Sequence, residues 1–294
     1  MKSEVRSKAK SKTKKITKKK GNLHKRNLLN DLTGTEWIQE TSTIWYQRGL
    51  GKEHKHTEIE KQHPAPFSYS MIERLVKFFT KKDGLVLDPL CGVASTLKAC
   101  ALNGRNGVGI ELSAKWVNLS KKRLSNEVPD KSKQKIIKGD ARIKLDEFDE
   151  EEFDFIVTSP PYWQILAKPA DHKVKAERIK KNLETKYSND KNDIGNIVDY
   201  RDFLSELKII FEKCFRVLKN KKYMVVVVSD FRHKSKLVSY HSDVVKIMEK
   251  CGFKTKSISI LVQNAKQLFP YGYPYDFVPN IHHQYILIFK KNNA

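Results

Sequence analysis

The chain has 294 residues, 39% of them hydrophobic and 31% charged, enough apolar mass for one large domain or two small ones around a real core. Lysine and arginine outnumber aspartate and glutamate 57 to 34, and the formal charge of +23 makes nucleic acid the leading partner class, ahead of an anionic membrane surface. Cys91, Cys100, Cys214 and Cys251 form no close pair and no metal-ligand spacing, and no apolar run nears the ~20 residues of a membrane span, so a disulfide scaffold, a metal centre and membrane insertion are excluded.

Residues 1–26 carry twelve Lys/Arg against one acid, Glu4, and residues 1–30 hold almost nothing to bury, so a disordered basic tail is expected there, ahead of one domain over 31–294. The tail reads equally well as a solubilising segment and as an arm for phosphates, because counterion release rewards any lysine that reaches DNA. No apolar stretch follows it as a secretion signal would require. With the reduced thiols this points to the cytoplasm, at the nucleoid, or to the nucleus in a eukaryote. Residues 35–63, with Trp37, Trp45 and Tyr46, are expected to be irregular and to pack by their aromatics.

From Ser70 the pattern becomes regular. Ser70 and Glu73 have capping-box spacing, and Met71, Ile72, Leu75, Phe78 and Phe79 recur with a helical period. Leu85 to Asp88 reads as a strand ending in an acid, Pro89 to Ser95 as a small-residue turn, and Thr96 to Leu102 as a helix stopped by Asn103-Gly104. Val108 to Glu111 and Ile136 to Asp140 read as two more strands ending in acids, with a helix from Ser113 to about Leu124 between them. Phe153 to Thr158 is a fourth strand, running into Ser159-Pro160-Pro161-Tyr162-Trp163 and a polar stretch to about Val198. A helix from Tyr200 to Leu218, a strand from Tyr223 to Val228, a helix from Ser242 to Cys251 and strands Thr255 to Val262 and Gln284 to Phe289 complete the alternation. Strands apolar at every position, such as Met224 to Val228, need cover on both faces, which makes the class α/β with a mostly parallel sheet.

Ligands of such sheets bind beyond the carboxyl ends of the strands, where Asp88, Glu111 and Asp140 converge. Glu111 follows Asp88 at about the ~20-residue offset of a ribose-binding carboxylate, yet the first loop lacks the Gly-x-Gly-x-x-Gly of a pyrophosphate site. A ribose-bearing cofactor without phosphates fits better. In the Ser-Pro-Pro-Tyr corner two prolines remove two amide donors, so nearby carbonyls are free to accept from an exocyclic amine while the Tyr162 ring stacks on a base.

These residues carry a resemblance. The stretch from about 60 to 290 resembles the DNA amino-methyltransferases that act on cytosine N4 or adenine N6 with S-adenosylmethionine. His63-Pro64-Ala65-Pro66-Phe67 resembles the family's first cofactor segment, Asp88-Pro89-Leu90-Cys91-Gly92-Val93-Ala94-Ser95-Thr96 its methionine loop, usually Asp-Pro-Phe-x-Gly-x-Gly-Thr, and Thr158 to Trp163 its catalytic tetrapeptide. Leu90 replaces the usual Phe, and Ala94 the second loop glycine.

The resemblance implies a Rossmann-like fold with a seven-stranded sheet whose last strand is antiparallel, helices on both faces, and no metal. It implies a cofactor site of Phe67, Asp88, Pro89, Cys91, Gly92, Glu111, Leu112, Asp140 and Ala141: Asp88 and the loop amides for the amino-acid end, Glu111 for the ribose, Asp140 for the adenine amine. Ser159, Pro160, Pro161 and Tyr162 become the catalytic corner. Ser in the first position goes mostly with cytosine N4, and duplex DNA becomes the substrate, with adenine N6 or an RNA base as the alternatives. A cognate restriction endonuclease is a candidate partner. Methylation at cytosine C5 is disfavoured, since no cysteine here follows a proline. DNA contacts are expected from an insertion around 163–198, through Lys168, Lys173 and Arg178, and from Arg232 and Lys234 after the fifth strand. The aromatic stretch Phe269 to Phe277 either walls the target pocket or packs in the core.

Overall fold

The computed structural model describes residues 22–47, 59, 62–63, 68–165, 179–180, 188–264 and 266–292. After helix α1 (Gly34–Glu40) and strand β1 (Ile44–Tyr46), the order is α2 (Tyr69–Phe79), β2 (Leu85–Asp88), α3 (Ser95–Leu102), β3 (Asn106–Glu111), α4 (Ala114–Glu127), β4 (Gln134–Lys138), the short helix α5 (Ala141–Lys144) and β5 (Phe153–Thr158). Helix α6 (Tyr200–Val217), β6 (Leu218–Val228), the hairpin β7 (Phe231–His233) and β8 (Lys236–Val238), α7 (Tyr240–Lys250), β9 (Lys254–Val262) and β10 (His283–Lys290) follow.

The main sheet has the order β1-β9-β10-β6-β5-β2-β3-β4, all parallel except β10, which runs against both neighbours. β2 sits mid-sheet between β5 and β3, so its carboxyl end lies at the switch point where an open α/β sheet takes its ligand. The expected α/β class and antiparallel last strand are found. The sheet has eight strands rather than seven because β1 adds to its edge, pairing Ile44, Trp45 and Tyr46 with Ile260, Leu261 and Val262. The segment expected to be irregular thus supplies a helix and a strand.

The central strands are covered on both faces, as their continuous apolar runs require. Phe155, Val157, Val225 and Val227 pack with Leu75, Val76 and Phe79 of α2, while Phe153, Ile156, Met224, Val226 and Val228 pack with α6 and α7 through Phe203, Leu207, Phe211 and Val244. From Phe155 to Val157 and along Met224 to Val228 alternate side chains enter opposite cores, the period-two rule of a pleated strand applied to a sheet buried twice; Phe153 lies before an irregularity in β5. Asp199 caps α6 by accepting from the backbone of Arg201 and Asp202, which sets where that helix starts.

Local caps differ from the sequence reading at two helices. The Ser70–Glu73 box does not form, because α2 begins two residues earlier behind Ser68, whose hydroxyl meets that of Ser70 instead. Ser113 precedes α4 without a side-chain cap, and its backbone N–H is given to Glu111. Residues 22–33 are anchored on the domain: Asn30 is fully buried and donates to the Phe78 carbonyl, and Asp31 accepts from Lys82. Residues 1–21 of the basic tail lie outside the described residues.

Candidate active site

The loop from β2 to α3 is built around one buried carboxylate. Asp88 is 2% exposed and accepts from the Thr96 hydroxyl at 2.5 Å and the Leu90 amide at 3.2 Å, closing the turn on itself. Burial lifts its carboxyl to about 6. The loop lies flat on β3 because position 109 is glycine: a Cβ there would come within 2.7 Å of Cys91 Sγ. Gly92 and Ala94 both have left-handed backbones, at φ 51° and 58°, and their amides donate to Glu111 Oε2 and to the Cys91 carbonyl. Arg123, fully buried in α4, holds the loop from behind by donating to the Val93 carbonyl and Ser95 Oγ.

Glu111 ends β3 and ties two turns together. Its Oε2 accepts from Gly92 N at 3.0 Å and its Oε1 from Ser113 N at 2.7 Å, while burial raises the carboxyl to about 7. Asp140 follows β4 and caps α5 by accepting from Arg142 N. The Arg142 guanidinium also meets both Asp140 oxygens, reaches Glu206, and donates to the Asn192 carbonyl at 2.7 Å. Asp140 therefore anchors α5 and, through Arg142, the turn before α6, and keeps only part of its acceptor capacity for another donor.

At the end of β5 the chain reverses through Ser159-Pro160-Pro161-Tyr162. Ser159 Oγ donates to the Val227 carbonyl of β6 at 2.9 Å, and the Tyr240 hydroxyl of α7 donates to the Pro161 carbonyl at 3.1 Å. Among the described residues the Pro160 carbonyl has no protein donor. Tyr162 meets Tyr240 edge-on and takes a hydrogen bond at 2.8 Å from Gln284 Nε2 of β10. Trp163 is pinned by its indole N–H to the Ile197 carbonyl and packs on His233.

These pieces enclose one cavity of about 580 Å³, within the range of pockets that hold drug-sized ligands. Of the residues predicted for the site, Pro89, Gly92, Glu111, Leu112, Asp140, Ala141, Ser159, Pro160, Pro161 and Tyr162 line it. Asp88 and Cys91 do not line it: they lie behind the loop, Asp88 closing it and Cys91 packed under it against β3. Asp88 therefore shapes the loop that borders the cavity. Burial and the neighbouring Glu111 hold the Cys91 thiol well above its ordinary value, so it is no thiolate nucleophile. Phe67, Lys168, Lys173 and Arg178 lie outside the described residues. Arg232 and Lys234 lie in the β7–β8 hairpin rather than in the cavity wall. The stretch from Leu268 to Phe277 is not core: Tyr273, Tyr275 and Phe277 are 81%, 94% and 87% exposed, beside the cavity-lining Lys266.

Other lining residues escaped the sequence. Trp116 of α4 packs on His63, Asp193 comes from the turn before α6, and Gln47, Gln263 and Gln284 come from three neighbouring strands. The only signal for Gln263 and Gln284 was a polar residue at the border of an apolar strand; Gln47 had none. No cluster able to hold a metal ion occurs among the described residues, and no helix among them is long and apolar enough to cross a membrane.

A family model described as DNA methylase matches residues 2–122 and 153–294, and a model described as methyltransferase domain matches residues 87–182. The chain is 32% identical over 85 residues to the Type II methyltransferase M.ScaI of Streptomyces caespitosus, 29% of this chain and 28% of that one. It is 30% identical over 108 residues to the orphan methyltransferase M.BamHII of Bacillus amyloliquefaciens (36% and 37%) and 32% over 114 residues to the Type II methyltransferase M2.MboI of Moraxella bovis (38% and 40%). The matches thus span between 28% and 40% of the length of these relatives. Among solved structures it is similar to a Thermus thermophilus protein complexed with S-adenosyl-L-methionine, at 26% identity and TM-score 0.36 over 53% of this chain and 54% of that one. With its β2 switch point and one reversed strand the chain has the Rossmann-like fold of S-adenosylmethionine-dependent methyltransferases, and it belongs to the DNA methylase family.

Proposed function

We propose that the protein transfers a methyl group from S-adenosylmethionine to the N4 amine of cytosine in duplex DNA. The observation that carries this reading is that a single cavity has the Gly92–Glu111 turn on one wall and the Ser159 to Tyr162 corner on the other. The cofactor fits the first wall. Glu111 spends one lone pair of each oxygen on a backbone amide, which leaves acceptors for ribose hydroxyls; in the 89–94 loop the amides of Leu90, Cys91, Gly92 and Ala94 are already spent within the protein, which leaves the Val93 N–H for a carboxylate. Ala141, Leu112 and the remaining capacity of Asp140 would take the adenine. When bound there, the cofactor supplies an electrophilic methyl group.

The chain's own residues do the positioning. A target base reaches this cavity only when turned out of the duplex stack, and Tyr162 offers its ring to stack on it. Ser159 Oγ, whose hydrogen is given to Val227, and the Pro160 carbonyl accept the two amine hydrogens. Those bonds draw the nitrogen lone pair out of conjugation with the ring and aim it across the cavity, a gain in orientation and electrostatics with no covalent intermediate on the enzyme. The exposed rings from Phe269 to Phe277, with Lys266 beside them, suit the bases and phosphates around the target. Lys168, Lys173, Arg178, Arg232 and Lys234 remain proposed phosphate or base contacts, which sets the protein at the nucleoid, or in a nucleus. A cognate restriction endonuclease remains a proposed partner.

Incubation with cofactor and unmethylated genomic DNA, followed by nucleoside mass spectrometry, is expected to yield N4-methylcytosine. N6-methyladenine would overturn the base assignment, and methylation of RNA alone the polymer.

A further inference from the structure

The wall beneath Tyr162 continues into a row of three glutamines that the proposed chemistry leaves unused. Gln47 follows β1, Gln263 follows β9, and Gln284 lies in β10 opposite Leu261; because the three strands are neighbours, their amides line up across one end of the sheet. Gln263 Nε2 donates to Gln47 Oε1 at 2.9 Å and to Gln284 Oε1 at 3.4 Å, and Gln284 Nε2 donates to the Tyr162 hydroxyl at 2.8 Å.

Donor counting gives this row a direction. A primary amide carries two N–H bonds and a hydroxyl one O–H. Both N–H bonds of Gln263 are spent, and the Gln284 amide is turned with its carbonyl toward Gln263 and its nitrogen toward Tyr162. The phenol oxygen accepts on that side, so its own hydrogen points away from Gln284. Ser159, on the same corner, has given its one hydrogen to Val227. A row of reversed polarity would satisfy the same atoms but turn the Tyr162 hydroxyl back into the wall.

Building on the methyl-transfer reading, we propose that Gln284, held by Gln263 and Gln47, is a positioning residue. It locks the Tyr162 ring in place and directs the phenol hydrogen toward Ser159, so that Ser159 Oγ meets an incoming amine only as an acceptor. The extra strand β1 is then part of the active site, since it supplies the residue that pins the far end of the row.

The test is Gln284→Glu, similar in shape but able to donate only when protonated. Tyrosine is labelled with 13C at Cζ, and the Tyr162 resonance is assigned through Tyr162→Phe. In the unliganded variant this resonance is expected to move between about pH 5 and 8, as the new carboxyl titrates, by clearly more than in the wild type, where Glu111 titrates at about 7 in the same cavity. A resonance that moves no further in the variant than in the wild type overturns the proposal. In single-turnover methyl transfer at saturating DNA and cofactor, Gln284→Glu is expected to lose about 10- to 100-fold at pH 8 and to recover as the pH falls, with both dissociation constants within about twofold. A loss equal at every pH marks a merely structural role and overturns it, as does a rate unchanged at pH 8. Gln47→Leu, outside the catalytic corner, keeps the test open should Gln284→Glu fail to fold: it is expected to shift the same resonance, and an unshifted one overturns the row. A titrating Tyr162 without methyl transfer to DNA by the wild type supports the row and overturns the methyl-transfer reading.

Discussion

The two walls of the cavity are assembled over very different distances along the chain. On the cofactor side Asp88 reaches Leu90 and Thr96, Glu111 reaches Ser113 and Gly92, and Asp140 reaches Arg142, separations of 2, 8, 2, 19 and 2 residues. On the base side Ser159 reaches Val227, Tyr240 reaches Pro161, Gln284 reaches Tyr162 and Gln263 reaches Gln47, separations of 68, 79, 122 and 216. One wall is mainly a set of local turns, with Arg142 reaching Asn192 and Glu206 at 50 and 64 residues, and the other is an arrangement that only the finished sheet brings together. The second depends on the β1 edge of the sheet, through Gln47 and Gln263.

If the walls are as separate as their contacts, a change to one leaves the other's readout alone. Ser159→Ala is expected to lower the methyl-transfer rate about 10²- to 10³-fold, the range for losing one preorganised polar group at a reacting centre, with cofactor affinity within about twofold. A matching loss of cofactor binding, measured by calorimetry, would erase the distinction.

Glu111→Gln is the reciprocal change, expected to weaken the cofactor about tenfold at pH 8 and to leave DNA affinity intact, since hydrogen bonds to a charged group are worth about 1.5–3 kcal/mol. It also carries a pH signature. Burial raises the Glu111 carboxyl from 4.5 to about 7, and ribose hydroxyls favour the ionised form, so binding below about pH 7 must expel a proton. Wild-type affinity is expected to fall as the pH drops below 7 and to be level above it, while Glu111→Gln is level throughout; a variant that keeps the wild-type slope assigns it to another group. The same shift means that the unliganded fold holds this proton more tightly than the unfolded chain, so its contribution to stability declines as pH rises from about 4.5 to 7.

The smallest effect is expected at Ala94. Glycine would relieve a left-handed backbone that costs alanine roughly 1–2 kcal/mol, but it loosens the unfolded chain by about 0.4–1 kcal/mol and forfeits a buried methyl worth about 0.8 kcal/mol. Thermal unfolding of Ala94→Gly should therefore lie within about 1 kcal/mol of the wild type. A larger loss would show that the methyl's packing against Leu97 and Leu124 outweighs the backbone.

The same contrast explains what the sequence disclosed. Strands β2 and β5 were legible to the residue, because an apolar run ending at Asp88 or Thr158 signals its own border. Ser159 to Tyr162 was legible as a corner because two prolines admit few backbones. What Asp88 bonds was not legible, since an acid at a strand end reads alike whether it faces the cavity or, as here, turns back to Thr96. Gln263 and Gln284 were legible only as polar residues at strand borders and Gln47 not at all, since their meaning lies in strand order, and β1 is too short at three residues for a periodic signal.

The pairing of β1 with β9 also sets an order of events during synthesis. Gln47 waits for a partner 216 residues further on, about 10–40 s at ordinary elongation rates of 5–20 residues per second. Until β9 and β10 emerge, the early strand has no neighbour and the Tyr162 hydroxyl no amide to receive. The bonds of Glu111 to Gly92 and Ser113 need nothing beyond residue 113, whereas the base-side wall is complete only when translation has passed Gln284.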